Sequence, residues 1–332
     1  MRLRFAVPLL VAVAAVAGGA FVLSPAPAVR AQALIVEIPL QAGVTAIAKR
    51  LQEAGAVRSD TAFLALGTLR GTARRLKAGE YEVPQGSSTL DVLRLLESGR
   101  VRQHPVLHPE GATISELARA LEAARLARAE DILRVASDPA FLAAHGIEGP
   151  NAEGYVFPDT YQFVRGMRPE DILGRMVQRM KAKLTPDMVA RAQARGLSVH
   201  ELLTLASIVE REAAVAEERK LIAGVFWNRL QISMPLQADP TVQYAVGKER
   251  RALTRADLQS DHPYNTYRHA GLPPGPIASP GLGAIEAALD PAPVKYLYFV
   301  AVSADGRRHH FSTTVEEHNA AVARYRQSRA AP

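Results

Sequence analysis

The chain has 332 residues, nearly half of them apolar, which is enough for about two domains with substantial cores. It contains no cysteine, and that excludes disulfides and thiolate metal sites. The net charge of +7 suits nucleic acid, an anionic membrane face or an acidic glycan. The arginines are scattered rather than striped along one helix, which argues against nucleic acid.

Phe5–Leu23 is uncharged and predominantly apolar. As a helix it reaches about 28 Å, close to the hydrocarbon thickness of a bilayer. Arg2 and Arg4 precede it, so the chain beyond it is expected outside the cytoplasm. The rival reading is a cleaved signal, for which Ala26-Pro27-Ala28 and Ala31-Gln32-Ala33 offer small-x-small sites. The length of the apolar run favours retention as an anchor. Residues 24–33 read as a linker.

Leu34–Ile38 reads as a strand, followed by a helix opening at Thr45 and closed by Gly55. Gly79–Pro84 reads as a second strand, and Thr89 as the cap of a helix carrying Val92, Leu93, Leu95 and Leu96 and ended by Gly99. A strand around Val106–His108 then leads into helices with Leu117, Leu121, Leu126, Ile132 and Leu133 as buried candidates. Gly149-Pro150 marks a boundary. Residues 170–195 and 198–215 read as amphipathic helices, the second opened by the capping box Ser198-Val199-His200-Glu201. Helix continues over Ile222–Leu230. Residues 231–283 are rich in proline and irregular, and such a stretch inside a domain is usually functional. Tyr296–Val302, the turn signal Asp305-Gly306 and His310–Ser312 predict a hairpin, and a helix over Val315–Arg326 ends the pattern.

Glu210 closes the apolar run Leu202–Val209 and carries the main chemical expectation. At 100° per residue, Leu203, Ala206, Ser207 and Ala214 share its face, while Glu212 points away and reads as solvated. A carboxyl held against apolar surface keeps its proton and can give it to a leaving group. The bland alternative is a surface glutamate paired with Arg211 or Lys220. Glu153–Tyr161 packs three aromatics and two carboxylates into nine residues, as a sugar-binding wall or as a turn filling a hydrophobic seam. Leu236–Thr241, Tyr264–Tyr267 and Gly271–Ile277 supply polar, aromatic and rigid segments within the irregular region. There is no HExxH, nucleophile elbow, Walker loop or dinucleotide fingerprint, and His309, His310 and His318 lack zinc spacing.

At these residues the chain resembles the endolytic murein transglycosylases, the MltG or YceG-like family. The resemblance rests on Glu153–Tyr161, Ala206–Glu212, Val225–Leu230, Met234–Val242, Tyr264–Tyr267, Gly271–Ile277 and His310–Ser312, all in the same order. It implies an α+β protein with an N-terminal transmembrane helix, a small LysM-like module, and a helix-rich catalytic domain carrying a short antiparallel sheet. The divisions expected are a cytoplasmic N-terminus 1–4, an anchor 5–23, a linker 24–33, a LysM-like module 34–100, a connecting segment 101–150 and a catalytic domain 151–327. The resemblance implies an inner-membrane location with a periplasmic body, Glu210 as the catalytic acid, and cleavage of peptidoglycan glycan strands with closure of a 1,6-anhydro ring. Glu153, Gln237, Asn265 and Tyr267 are the expected substrate contacts. Neither a cofactor nor a metal is expected, the candidate partners are the cytoplasmic membrane and peptidoglycan synthases, and no nucleic acid is expected. The alternatives are a hydrolase of the same bond, with Asp239 or Glu153 as second carboxylate, and a non-enzymatic peptidoglycan-binding scaffold.

Overall fold

In Leu34–Ile38 (β1) alternate residues point inward, so Val36 and Ile38 enter a core while Ile35 and Glu37 stay outside. The computed structural model describes residues 18–25, 33–39, 41–72, 75–248, 251–302 and 307–330. Within them the chain divides into two units, one reaching Pro105 and including Gln162–Met167, the other made of Val106–Tyr161 and Arg168 onward.

In the first unit, β1 pairs antiparallel with Gly79–Val83 (β2), Leu34 opposite Val83 and Ile38 opposite Gly79. Two helices, Val44–Glu53 (α1) and Asp60–Leu69 (α2), connect the strands, and Thr89–Ser98 (α3) follows. Ile47, Leu51, Phe63, Tyr81, Val92, Leu93 and Leu96 fill the space between them. The cap of α3 is Ser88, one residue before the expected Thr89. Its hydroxyl accepts from the Asp91 N–H, and the Asp91 carboxylate accepts from the Ser88 N–H. Helix α2 has no counterpart in the sequence reading. Its run of Ala, Leu and Gly offers no polar face for a 3.6-residue period to reveal.

Most of the expected anchor lies outside the described residues. Residues 18–23 are helical, and among the described residues no helix is long and apolar enough to cross a membrane. The expected hairpin turn at Asp305-Gly306 also lies outside them.

His104–His108 (β3) pairs with Asp159–Phe163 (β4), and the division between the units falls within this pair. The second unit is largely helical: Ile114–Ala123 (α4), Ala129–Ala136 (α5), Pro139–Ala144 (α6), Pro169–Lys183 (α7), Pro186–Ala194 (α8), Val199–Glu212 (α9), Arg219–Gln231 (α10), Asp239–Ala245 (α11), Arg255–Leu258 (α12), Leu282–Leu289 (α13) and Val315–Ala330 (α14). Tyr298–Ala301 (β5) and His309–Ser312 (β6) form an antiparallel hairpin with Tyr298 opposite Ser312.

Three expectations change here. Residues 170–195 are two helices, because Thr185 caps a new one at Pro186 and accepts from the Met188 N–H. Leu133 is exposed, since Ile132, Val135 and Ala136 take the inward face of α5. Helix α9 is buried on every side from Leu202 to Val209 rather than amphipathic, as suits a helix enclosed by α10, α13 and their neighbours.

Candidate active site

Helix α9 begins with the expected capping box, in which the Ser198 hydroxyl accepts from Glu201 and the Glu201 carboxylate from Ser198. The proline-rich loop packs directly on this helix. His200 Nε2 lies 2.8 Å from the Pro274 carbonyl, and the Ile277 N–H donates to the Ser207 hydroxyl at 3.0 Å. The last turn of α9 therefore leaves the core at a fixed place, carrying Glu210 and Glu212 in directions about 200° apart.

Glu210 is bound on both oxygens. The Gly281 N–H donates to one at 3.0 Å, and the Arg219 guanidinium reaches the other at 3.4 Å. Arg219 also pairs with Glu110 at 3.4 Å. A side chain at Gly281 would meet the end of the Glu110 side chain, which would have to move aside. Burial raises the Glu210 carboxyl above its ordinary value, and the Gly281 N–H and Arg219 offset only part of that rise.

Glu212 contradicts its reading as a solvated residue. It lines a cavity of about 600 Å³ together with Arg229, Gln237, Asp239, Tyr267 and His309. Burial, then the nearby charge of Asp239, push its carboxyl up to about 8, against the pull of Arg211 and Arg229. Among the described residues it has no hydrogen-bond or ion-pair partner. Part of its surface faces the open cavity, so the walls desolvate the carboxyl while leaving it within reach of a ligand. A raised carboxyl favours folding in its protonated form. That contribution is complete below the ordinary glutamate range near 4.5 and is lost as pH rises through about 8.

The cavity wall is assembled by three sequence motifs. Tyr267 donates its hydroxyl to Asp239 at 2.6 Å, and burial raises the phenol's pKa. Gln237 adopts a left-handed backbone with φ of 50°, held by its N–H on the Thr266 carbonyl at 3.1 Å. Thr266 also accepts from the Ala238 N–H at 3.0 Å and meets the Thr241 hydroxyl at 2.9 Å. Leu236–Thr241 and Tyr264–Tyr267 are thus one interlocked wall. Arg229 braces it from α10, giving Nε to the Leu297 carbonyl at 2.6 Å and Nη1 to the Leu236 carbonyl at 2.7 Å.

Of the expected contacts, Gln237 and Tyr267 reach this cavity; Glu153, Asn265 and Glu210 do not line it. Asn265 is fully buried, donating to the carbonyls of Leu258 and Ser260 and accepting from the Tyr267 N–H. Both Glu153 oxygens accept from the Ile114 N–H at 3.1 Å, at the start of α4, where the helix dipole favours a carboxylate. Glu153 also lines a second cavity of about 500 Å³ with Asn151, Tyr244, His262 and Tyr264, while the loop that follows it packs on the proline-rich segment. Gly154 has φ of 76°, and a side chain there would strike Pro276. Tyr155 bonds His200, and Tyr161 donates to the Phe157 carbonyl.

The sequence reading gave no site role to Glu212, Arg229 or His309, which line this cavity, or to Glu218, which stands behind His309. The signal for Glu212 was its place three residues beyond the buried run, where a helix emerging from a core carries a carboxylate on either side. Arg229 could have been found from its position in Phe226-Trp227-Asn228-Arg229-Leu230, a charge set between large apolar residues.

A model of the YceG-like family matches residues 36–324. A protein of Bacillus subtilis named endolytic murein transglycosylase is 34% identical over 310 residues, covering 89% of this chain and 85% of that protein. One of the same name from Streptococcus pneumoniae is 34% identical over 325 residues, and this chain spans 58% of its length. A crystal structure of a yceG-like protein from Listeria monocytogenes matches with a TM-score of 0.61 and 34% identity, covering 88% of this chain and 99% of that one.

Proposed function

The chain belongs to the YceG-like family, and from that premise we propose that it is an endolytic lytic transglycosylase of peptidoglycan whose acid is Glu212. The names of the relatives support the substrate class. The observation that carries the assignment of the acid is the unpartnered Glu212 carboxyl, pushed up to about 8, on the wall of the 600 Å³ cavity. The expectation placed this role on Glu210, whose oxygens are occupied by Gly281 and Arg219. The proposed role therefore moves two residues along the helix.

In the reaction, Glu212 gives its proton to the glycosidic oxygen as the bond to the muramic acid anomeric carbon breaks. The 6-hydroxyl of that sugar attacks the same carbon and closes a 1,6-anhydro ring, and the ionised Glu212 takes the hydroxyl's proton. The nucleophile belongs to the substrate, so it is already close to the carbon it attacks. Gln237 and Tyr267 are proposed substrate contacts. Asp239 favours a second reading, hydrolysis, because it puts another carboxylate in the same cavity. Its Oδ1 is held by Tyr267 at 2.6 Å, and in the lytic reading it serves by raising the Glu212 carboxyl. Digestion of purified glycan strands is expected to give ends carrying 1,6-anhydro-N-acetylmuramic acid, lighter by one water than hydrolytic ends. Reducing ends that incorporate oxygen from labelled water would establish the hydrolase instead.

The βααβ order of the first unit supports a LysM-like glycan-binding module over 34–100. The apolar Phe5–Leu23 segment with its leading arginines supports a retained inner-membrane anchor and a periplasmic body, near the synthases that make nascent strands. Mass spectrometry of the mature protein is expected to find that segment present. A mature N-terminus just after Ala28 or Ala33 would contradict the anchor.

A further inference from the structure

One carboxylate–histidine pair on the cavity wall has no part in the reaction described above. Glu218, at the end of the short helical turn Ala216–Glu218, is buried. Its Oε1 accepts from the backbone N–H of His309 at 3.0 Å, and its Oε2 lies 2.7 Å from His309 Nδ1. The imidazole is nearly enclosed and stands edge-on to Phe299, with ring centroids 5.2 Å apart. His309 lines the same cavity as Glu212.

These contacts determine where the imidazole proton sits. A carboxylate only accepts, so the nitrogen facing Oε2 must carry hydrogen. Neutral His309 then holds its proton on Nδ1 and keeps a lone pair on Nε2. Nε2 has no partner among the described residues. A fixed carboxylate behind a histidine is the general device for setting tautomer and ring direction. Among the other acceptors on the cavity wall, Asp239 is tied through Oδ1 to Tyr267, and Gln237 carries a side-chain amide with no such fixed orientation.

We propose that His309, with its tautomer fixed by Glu218, is a substrate-recognition residue whose Nε2 accepts a hydrogen bond from a hydroxyl or acetamido N–H of the bound glycan. The proposal rests on the peptidoglycan reading of the cavity. An acceptor fixed in place on the cavity wall rewards a ligand with a donor at that point and rejects one without it.

The same bonds tie β6 to the helical turn, so the informative variant keeps both bonds and moves the proton. Glu218→Gln does this. The backbone N–H of His309 requires the amide oxygen, which turns the NH2 toward Nδ1. Nδ1 must then accept, and the proton moves to Nε2, converting the acceptor into a donor.

The measurement uses the full chain in a Glu212→Gln background, so that strands stay intact, with purified uncross-linked glycan strands as the probe. Nitrogen-15 spectra are expected to show His309 protonated on Nδ1 in the parent and on Nε2 after Glu218→Gln. Strand affinity is expected to fall about ten- to hundredfold with that change, the effect of one mispaired buried polar group. His309→Gln, which can offer an oxygen near the position of Nε2, is expected to bind better than His309→Leu. A moved proton with unchanged affinity would overturn the proposal, as would a parent protonated on Nε2. A parent that binds no glycan at all would instead sink the peptidoglycan reading itself.

Discussion

Glu212→Gln is expected to abolish cleavage of glycan strands, lowering turnover by about 10²–10⁴, while the protein folds normally. The amide matches the carboxyl in shape but cannot give and recover a proton. No hydrogen bond is lost with it, because the Glu212 carboxyl has no partner among the described residues. Glu210→Gln is expected to behave in the opposite way. The amide oxygen can still accept from Gly281, but the attraction to Arg219 is lost from a nearly buried site. Turnover is then retained, and stability falls by about 1–3 kcal/mol. Initial rates and thermal unfolding of the two variants check both statements. A folded but inactive Glu210→Gln beside an active Glu212→Gln would return the acid to Glu210.

Arg229→Ala is expected to cost about 3–5 kcal/mol and to lower Tm by roughly 10 °C. Arg229 is buried, and its guanidinium answers three carbonyls, those of Leu297, Leu236 and Pro235. It also lies over the Tyr298 ring at 5.4 Å. These acceptors come from two separate segments, the entry to β5 and the motif that carries Gln237 and Asp239. Truncation leaves the carbonyls without a donor in an enclosed place and opens a void beside them. Arg229→Lys keeps the charge but not the fork, so it is expected to recover only part of the loss. Thermal unfolding followed by near-ultraviolet dichroism reads both variants. An Arg229→Ala protein that melts with the wild type would show that the wall stands without this brace.

The strands at Leu34–Ile38 and Gly79–Val83 and the caps at Ser198 and Gly99 were legible because their signals are local, arising from alternation, an S-x-x-E box and a glycine at φ of 67°. Helix α2 was not, because a run without a polar face carries no period. The proposed acid lies within one turn of helix of the carboxylate that the sequence singled out. The sequence placed a carboxylate at the end of a buried run, but which of Glu210 and Glu212 meets the cavity depends on where Gly281, Arg219 and Asp239 lie. Those residues are distant in sequence from the helix or on other elements, so no pattern along α9 contains them. Asn265 and Glu153 read as substrate contacts because polar residues among aromatics suit a sugar. In the fold they answer backbone groups of Leu258, Ser260 and Ile114, a need visible only once the loops are in place. The pairing of Glu218 with His309 joins residues 91 positions apart and leaves no trace in spacing.

Carbon-13 titration of the glutamate side chains reads whether Glu212 is the carboxyl that keeps its proton at neutral pH. One resonance is expected to titrate near 8, to vanish in Glu212→Gln, and to move to lower pH in Asp239→Asn, because removing the neighbouring negative charge makes ionisation easier. A Glu212 resonance that titrates in the ordinary carboxylate range and ignores Asp239→Asn would rule Glu212 out as the acid.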